Sequence, residues 1–441
     1  MDNQDGKEAP PGDSPNQSQS VWRRLNRVVK GLARDPDFAK FWVSRTVSNF
    51  GALMGALQFV AVLMLHATPL QMGILSALGV APSIIIGFLI GVIADRIRRR
   101  PILIAAEMGR FALLASIPVA YLIGLLRIEQ LYAVAFFNGV LTTLFDVANR
   151  SYLPTLVRRS DLVDANSKLT ASESFAEVTA FSIGGWIAQL ANSVLVAAIG
   201  GLTFLVSALS LAFIRKQEPK TDITRQGGGV FREIWEGLGV VWNDKLLRAI
   251  AVANAAENWT VGMLSAVVLV FGVRELGLGP GALGTIFAIG GISSIIGASY
   301  AGGAARKFGL GAALVGGYAV YMLSILFIPA AREPLMFAGL MLTLAQLGDG
   351  FFTMFMVHES SLRQAITPDR SLGRMNATMR SLGLGALFAG SLVGGWIAGI
   401  IGLRLTMVAA ACVGILGALW LLLSPLRAVR GLTEERPICS T

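Results

Sequence analysis

The pentapeptide GGWIA occurs twice in this chain, at residues 184–188 and again at residues 394–398. A second pair of similar segments, LVDANSKL and LGRMNATM, begins at Leu162 and at Leu372. Both pairs have the same separation of 210 residues. Because chance is a poor explanation for two matches at one separation, we interpret them as one structural element repeated in two parallel halves.

The composition excludes an ordinary soluble protein. Of the 441 residues, 54% are hydrophobic, 15% are charged and 50 are glycine. Globular domains carry about a quarter charged residues. The apolar residues of this chain form long runs, and a helix needs about 20 such residues to cross the core of a bilayer. The fold class predicted here is therefore an all-α membrane protein.

Twelve apolar runs are long enough to be transmembrane spans, and a gap at 215–246 divides them into six plus six. We place the spans at 38–65, 70–94, 101–124, 130–150, 169–190, 192–214, 247–272, 279–303, 310–330, 334–357, 379–401 and 403–424. Together with the repeat, this count predicts two six-helix bundles related by an approximate two-fold axis.

The distribution of basic residues predicts that both termini are cytoplasmic. One set of connections between spans is rich in lysine and arginine: Arg96, Arg98, Arg99, Arg100, Arg150, Arg158, Arg159, Lys168, Arg306, Lys307, Arg363, Arg370, Arg374 and Arg380. The other set holds only Arg127, Arg274, Arg332 and Arg404. Basic loops stay on the cytoplasmic side. The formal net charge of +10 is explained in the same way, and no nucleic-acid partner is predicted.

Five segments follow from this division of the chain. Residues 1–35 form a polar cytoplasmic tail, 36–214 the first bundle, 215–246 a cytoplasmic linker, 247–426 the second bundle and 427–441 a second cytoplasmic tail. The linker and the first tail each contain apolar residues at helical spacing, which predicts an amphipathic helix in each. Such a helix either lies on the inner membrane surface or packs on the protein's own cytoplasmic side.

The connection between spans 2 and 3 has an unusual charge pattern. The segment GVIADRIRRRPIL, residues 91–103, contains one acid and four arginines between two apolar runs. Its pattern G-x-x-x-D-R-x-R-R-R resembles the signature G-x-x-x-D-R-x-G-R-R of the major facilitator superfamily, with Arg98 in place of the usual glycine. Three further segments are similar to the efflux branch of that family that contains the enterobactin exporter and the macrolide-efflux proteins. These segments are FDVANRSYLPTLVRRSDLVDANSKLTAS (145–172), FREIWEGLGVVWNDKLLRA (231–249) and SLRQAITPDRSLGRMNATMRSL (361–382).

The resemblance implies a conformational latch at the cytoplasmic end of the bundles. A carboxylate at Asp95 would accept hydrogen bonds from the N-terminus of span 11, where amide groups point outward. The family pattern also implies a pairing of Arg99 with Asp146, at the inner end of span 4. Gly91 would permit close approach of helices, and Arg96 completes the motif. For Arg98 and Arg100 we favour a plain role as orientation signals.

Three acids lie too deep in their spans to reach the membrane surface: Glu177, Glu257 and Asp349. An ionisable residue inside a span is costly and usually faces a cavity or a partner. A carboxylate shielded from water can take up and release a proton near neutral pH, so these three are candidates for proton coupling. The alternative is that they form hydrogen bonds to neighbouring helices. Glu107 and Arg110, one turn apart, are interpreted as an ion pair within one helix.

Other polar residues in the spans are candidates for contact with a substrate. Gln58, Asn138, Asn258 and Gln346 lie among aromatic residues, and a mostly apolar pocket with a few polar groups suits an amphiphilic ligand. Arg45 is expected to reach the inner surface. His358 and Glu359, at the inner end of span 10, are expected to be solvated or to join the latch.

No motif for another chemistry is present in the sequence. It lacks the nucleotide-binding pattern G-x-x-x-x-G-K-[ST] and the pattern H-E-x-x-H, and two histidines cannot make a typical zinc site alone. We expect no enzyme activity, no metal and no cofactor beyond a proton gradient.

We predict a multi-pass protein of the bacterial inner membrane that exports a small amphiphilic molecule by proton-coupled alternating access. Such a molecule would be a drug, a macrolide or a siderophore-like compound, and its exporter would work as a monomer within the lipid bilayer. An importer of a small metabolite on the same fold is one alternative. A transporter-like sensor that binds without translocating is another.

Overall fold

The computed structural model describes residues 35–85, 98–216, 218, 230–429 and 431, with only the backbone at 230–235. Helices make up almost all of this part of the chain, which contains no strand. The first six long helices are α1 (Pro36–Leu53), α2 (Pro69–Ile85), α3 (Arg99–Leu122), α4 (Ile128–Leu156), α5 (Leu162–Leu190) and α6 (Ser193–Ala212). The linker helix (Val230–Asn243) follows. The last six are α7 (Lys245–Arg274), α8 (Pro280–Phe308), α9 (Leu310–Ser324), α10 (Leu335–Ile366), α11 (Asp369–Ile401) and α12 (Leu403–Leu423).

Ten of these helices are long and apolar enough to cross a membrane, with α1 counted together with its extension to Met64 and α9 with its extension to Ala330. The other two are α2, which is a shorter apolar helix over its described residues, and α5, which carries several charged residues. Local signals explain where several helices begin. Asp35 precedes Pro36, and its side chain accepts hydrogen bonds from the amides of Asp37 and Phe38. Asp244 caps α7 in the same way.

The packing of the helices follows a two-fold pattern. In the first bundle α1 packs on α5 and α6, α2 on α4, and α3 on α4 and α6. Each of these contacts recurs in the second bundle between the helices numbered six higher. The main contacts between the bundles are α5 with α8 and α2 with α11. These two contacts are also equivalent, because α11 is the counterpart of α5 and α2 is the counterpart of α8. The prediction of two related six-helix bundles is therefore confirmed.

We call the end of the molecule that holds Asp35, the linker helix and Val429 the terminal face, and the other end the opposite face. Several helices extend beyond the predicted spans at the terminal face. The end of α4 lies at Leu156 and α5 begins at Leu162, while α10 ends at Ile366 and α11 begins at Asp369. These extensions carry polar residues. They are helical, but their hydropathy is too low to mark them as part of a span in the sequence.

The linker helix packs against α11 and the start of α7. An ideal Cβ at Gly237 would lie 3.0 Å from the carbonyl oxygen of Arg374, so the two backbones are close there. Arg374 also forms an ion pair with Glu236. Val241 is fully buried, while Trp242 is about half exposed. Of the two expectations for this helix, packing on the protein's own terminal side is the one observed. The amphipathic segment of the first tail lies outside the described residues.

Candidate functional site

A cavity of about 340 Å³ lies between the two bundles, and we call it the central cavity. It extends from the middle of α7 toward the opposite face. Its polar lining consists of Gln58, Ser76, Ser265, Tyr321, Gln346 and Asp349. The other fourteen lining residues are apolar or glycine, among them Phe181, Phe271 and Phe287. Three of the residues singled out from the sequence, Gln58, Gln346 and Asp349, are therefore brought together.

A break in the first span presents Gln58 to the central cavity. The helix α1 ends at Leu53, resumes at Ala56–Phe59 and continues as a π-helix over Val60–Met64. Gly55 has φ +70°, and an ideal Cβ there would lie 2.5 Å from the ring of Phe181. Both the left-handed backbone and the close ring favour glycine at this position. Short π-helical segments often occur at functional sites.

Of the described residues that line the central cavity, Asp349 is the one with a carboxylate. Its backbone carbonyl accepts hydrogen bonds from Ser294 and Thr353. Among the described residues, no ion pair or hydrogen bond involves its carboxylate. The carboxylate packs against α8 at Gly290, where an ideal Cβ would overlap Asp349 Oδ2. A larger residue at this position would therefore clash with the carboxylate. Gln346, one turn earlier on α10, is beside the same glycine.

Glu257 and Asn258 lie outside the lining of the central cavity. Asn258 Nδ2 donates to Glu257 Oε2 at 2.8 Å and to the carbonyl of Asn254 at 2.9 Å. Glu257 is 7% exposed, and the neighbouring helix α11 approaches Asn254 and Asn258 at Gly383. Asn258 was expected to contact a substrate, but it is occupied with its own helix. Glu257 is thus a buried carboxylate held by a neutral amide.

The first bundle contains a buried network that includes Asn138. Arg110 donates to Asn138 Oδ1 at 3.3 Å and to Ser48 Oγ at 3.1 Å, and it pairs with Glu107 Oε1 at 3.3 Å. The Arg110 guanidinium also lies 3.8 Å from the ring centroid of Phe204. The predicted ion pair of Glu107 and Arg110 is confirmed. Asn138 does not line the central cavity, because this guanidinium takes its side-chain oxygen.

Arg45 joins three helices near the terminal face rather than reaching the surface. It pairs with Glu173 of α5 at 3.0 Å and with Asp146 of α4 at 3.4 Å. Glu177, one turn beyond Glu173, is exposed and lines neither of the two described cavities. The resemblance implied that Asp146 pairs with Arg99. In this conformation that pairing is absent, because Arg45 takes Asp146, while the backbone amide of Arg99 donates to Glu218 at 2.7 Å.

The other latch residues, Gly91, Asp95 and Arg96, lie outside the described residues. A smaller cavity of about 190 Å³ nevertheless separates the bundles near the terminal face. Its walls include Asp146 and Arg150 from α4 and Arg380 from α11. Arg380 was not singled out from the sequence as a site residue. Its place opposite Asp146 depends on how the two bundles meet, which no local pattern reveals.

The bundles are joined directly at the opposite face by the repeated glycines. An ideal Cβ at Gly185 would overlap the carbonyl oxygen of Pro280, and one at Gly395 would lie 2.6 Å from that of Pro69. The first glycine of each GGWIA segment instead packs within its own bundle, Gly184 on Met54 and Gly394 on Met263.

Hydrogen bonds across the bundles reinforce this contact. The amide of Gly281 donates to Gln189 Oε1 at 2.9 Å, Trp186 Nε1 donates to Thr285 Oγ1 at 3.1 Å, and Arg274 Nη2 donates to the carbonyl of Ala67 at 2.9 Å. The opposite face is therefore closed over the central cavity.

His358 and Glu359 are buried, with 3% and 5% exposure, so the expectation of solvated side chains is wrong. The helix α10 continues to Ile366 and carries them inside the packed bundle. Glu359 Oε1 lies 2.9 Å from Arg363 Nε, at an angle too poor for a hydrogen bond. Within the described part of the chain, no cluster of three or more His, Cys, Asp or Glu residues could hold a metal ion.

Comparison with known proteins identifies the family. The sequence profile of the family described as the Major Facilitator Superfamily matches residues 46–362 of this chain. The chain belongs to the Major Facilitator Superfamily. Membership of this family and the apolar helices make it a multi-pass membrane transporter of the MFS type. The finer resemblance to the enterobactin and macrolide exporters stays a prediction.

Two relatives within the superfamily are uncharacterized MFS-type transporters. The chain is 26% identical to y4rN of Sinorhizobium fredii over 387 residues, which cover 84% of this chain and 90% of that protein. It is 25% identical to YfiS of Bacillus subtilis over 238 residues, which cover 53% of each chain. The chain thus matches about half of the length of the Bacillus protein.

Solved structures share the fold at low sequence identity. A point mutant of the nucleoside transporter NupG has a TM-score of 0.73 at 12% identity and covers 88% of this chain and 99% of its own. A bacterial homologue of the iron transporter ferroportin in an inward-facing state has a TM-score of 0.70 at 15% identity. The match covers 88% of this chain and 98% of that protein. At these identities the likeness establishes the fold alone.

Proposed function

We propose that this member of the superfamily is a proton-coupled exporter of small amphiphilic molecules in the bacterial inner membrane. The observation that carries the proposal is the central cavity, which is mostly apolar, lies between the bundles and presents Gln58, Gln346 and Asp349. Pockets with an apolar lining and a few polar groups bind amphiphilic molecules. Because the opposite face is closed and the basic loops lie at the terminal face, the conformation described here corresponds to a cavity that opens inward.

The two contacts between the bundles support a mechanism of alternating access. Rocking of one bundle against the other would separate α5 from α8 and α2 from α11 at the opposite face. The same motion would close the smaller cavity at the terminal face, where Asp146 and Arg380 line opposite walls. In that state Asp146 can exchange its 3.4 Å contact with Arg45 for an ion pair with Arg380. The latch of Gly91, Asp95, Arg96 and Arg99 would act at the same end. The protein works as a monomer, since each chain contains both bundles.

We assign proton coupling to Glu257 ahead of Asp349 and Glu177. Glu257 is buried, has a neutral hydrogen-bond partner and lies away from the lining of the central cavity. It can therefore exchange a proton without direct competition from a bound molecule. Glu177 is more exposed and Asp349 faces the central cavity, which suits contact with the transported molecule better. The resemblance to the exporters supports the outward direction of transport.

Transport by proteoliposomes under an imposed pH gradient tests this proposal. The parent protein is compared with Glu257→Gln, Asp349→Asn and Glu177→Gln, with erythromycin, ethidium and a catecholate siderophore as probes. Glu257→Gln is expected to abolish accumulation driven by the gradient while exchange between preloaded and external probe continues. Glu275→Gln serves as a control, because Glu275 pairs with Arg404 and neither residue lines the central cavity. A parent that moves none of the probes under either polarity, or an active Glu257→Gln, would overturn the assignment.

A further inference from the structure

The chemistry of the central cavity is unbalanced in charge. Among the twenty described residues that line it, Asp349 is the one with an acidic side chain, and none is basic. Gln58, Gln346, Ser76, Ser265 and Tyr321 supply neutral polar groups. A carboxylate removed from water costs several kcal/mol unless a cation or several donors compensate it.

The nearby cations are engaged elsewhere. Arg404 lies 4.8 Å from the ring centroid of Phe271, pairs with Glu275 at 3.1 Å and donates to the carbonyls of Pro329 and Ala331. Arg274 is used in the closure of the opposite face, where it donates to Ala67. Both guanidiniums are therefore held outside the central cavity. With no cation from the described residues at Asp349, we take the bound molecule as the source of its positive charge.

The apolar walls of the central cavity also suit a cation. The rings of Phe181 and Phe287 lie 5.1 Å apart at 76°, and Tyr321 lines the same space. Aromatic faces attract ammonium groups by a cation–π interaction, most strongly where water is excluded. A ring on one side and a carboxylate on the other would hold a quaternary or tertiary amine between them.

We infer that the molecule carried in the central cavity is a lipophilic monocation and that the Asp349 carboxylate receives its charge. This inference rests on the proposed function and narrows its substrate class. Gln58 and Gln346 then contact neutral polar groups on the body of the molecule, and the aliphatic side chains of α7 and α8 cover its apolar part. A monoanion of the same shape is excluded, because it would place a second negative charge next to Asp349.

Two probes of matched shape and opposite charge test the inference. Benzyltrimethylammonium and benzylsulfonate share a benzyl group and differ in the charge of a compact head. Equilibrium binding of each to purified protein in nanodiscs, without any gradient, separates recognition from transport. We expect saturable binding of the cation by the parent protein and no competition from benzylsulfonate.

Asp349→Asn removes the charge with little change of shape and should weaken cation binding about tenfold or more, as expected for a contact ion pair of low solvent access. Asp349→Glu keeps the charge and should retain part of the affinity, which separates a loss of charge from a loss of fold. Glu275→Gln, outside the central cavity, should bind as the parent does.

Equal affinity of the parent and Asp349→Asn for the cation would overturn the inference. Equal competition by benzylsulfonate, or no saturable cation binding below about 10 mM, would overturn it as well. Because no transport is measured, a protein that binds the cation but fails to respond to a pH gradient would refute the proposed coupling and leave this inference standing.

Discussion

Replacement of Gly395 by alanine should weaken the closure of the opposite face. An ideal Cβ at this position lies 2.6 Å from the carbonyl oxygen of Pro69 and 3.0 Å from the Cα of Leu70. Ordinary contact begins at 3.4 Å, so the new methyl group is roughly 0.8 Å too close to Pro69. Both neighbours are backbone atoms, which cannot rotate away. Relief therefore requires α2 and α11 to move apart.

The cost of this overpacking determines the size of the effect. Insertion of a methyl group into a well-packed contact typically costs about 1–3 kcal/mol. The methyl group destabilises only the conformation with a closed opposite face, because α2 and α11 are in contact there. In the conformation with an open opposite face the two helices are apart and the clash is absent. The ratio of open to closed protein should therefore rise about five- to 150-fold.

Labelling of a cavity cysteine measures this ratio. Ser265→Cys, in a background with Cys412→Ser and Cys439→Ser, places one thiol in the lining of the central cavity. A membrane-impermeant maleimide added to spheroplasts reaches it only while the opposite face is open. We expect Gly395→Ala to raise the labelling rate about five- to 150-fold, in proportion to this ratio.

A matched control lies one turn further along the same helix. An ideal Cβ at Gly399 has no neighbour within 4 Å, so Gly399→Ala adds the same methyl group to α11 without a clash. It should label at the parent rate. The reasoning fails if Gly395→Ala labels at the parent rate, or if Gly399→Ala accelerates labelling as much as Gly395→Ala does.

Three further predictions concern other contacts of the described structure. Glu107→Ala leaves the buried guanidinium of Arg110 without its ion-pair partner and should lower the free energy of unfolding by about 3 kcal/mol. The purified variant should therefore have a lower thermal unfolding temperature, and an unchanged temperature would argue against the buried pair. Gln189→Ala removes one hydrogen bond across the bundles, worth about 1 kcal/mol, so cavity labelling should rise about fivefold, and a slower rate would contradict the role of Gln189 in closure. Arg374→Ala removes the partly exposed ion pair with Glu236, which contributes less than about 1 kcal/mol to stability. Limited proteolysis of the linker should therefore accelerate only a few-fold. Strong destabilisation of the whole chain would contradict this small contribution.

The bundle architecture could be predicted from the sequence because it depends on features that are local in the chain. Apolar runs mark the spans, and the repeated GGWIA marks the correspondence of α5 with α11. The glycines of that repeat pack closely in both halves, Gly185 on Pro280 and Gly395 on Pro69. Their recurrence in the sequence reflects this equivalent packing, although the sequence did not reveal which helices they contact.

The central cavity could be predicted only in part, because a sequence does not fix the rotation of a helix about its axis. Gln58, Gln346 and Asp349, which were singled out from the sequence, line this cavity. Asn138 and Asn258 have the same chemistry and similar depth, yet they bond to Arg110 and to Glu257.

The aromatic lining was missed for a related reason. Phe181 and Phe287 come from different bundles, and their ring contact exists only after the bundles assemble. The charged groups near the terminal face were misjudged because the helices continue past the apolar runs. Arg45 finds Glu173 and Asp146 on neighbouring helices before it reaches the surface.

The reciprocal movement of the two faces can be measured by the distance between spin labels. One pair of labels at Leu125 and Arg332 reports on the opposite face, and another at Arg158 and Arg370 reports on the terminal face; all four residues are exposed. Rocking of the bundles about the central cavity predicts that Gly395→Ala lengthens the first distance and shortens the second in the same sample. A lengthened first distance with no change in the second, or no change in either, would contradict alternating access by these two bundles.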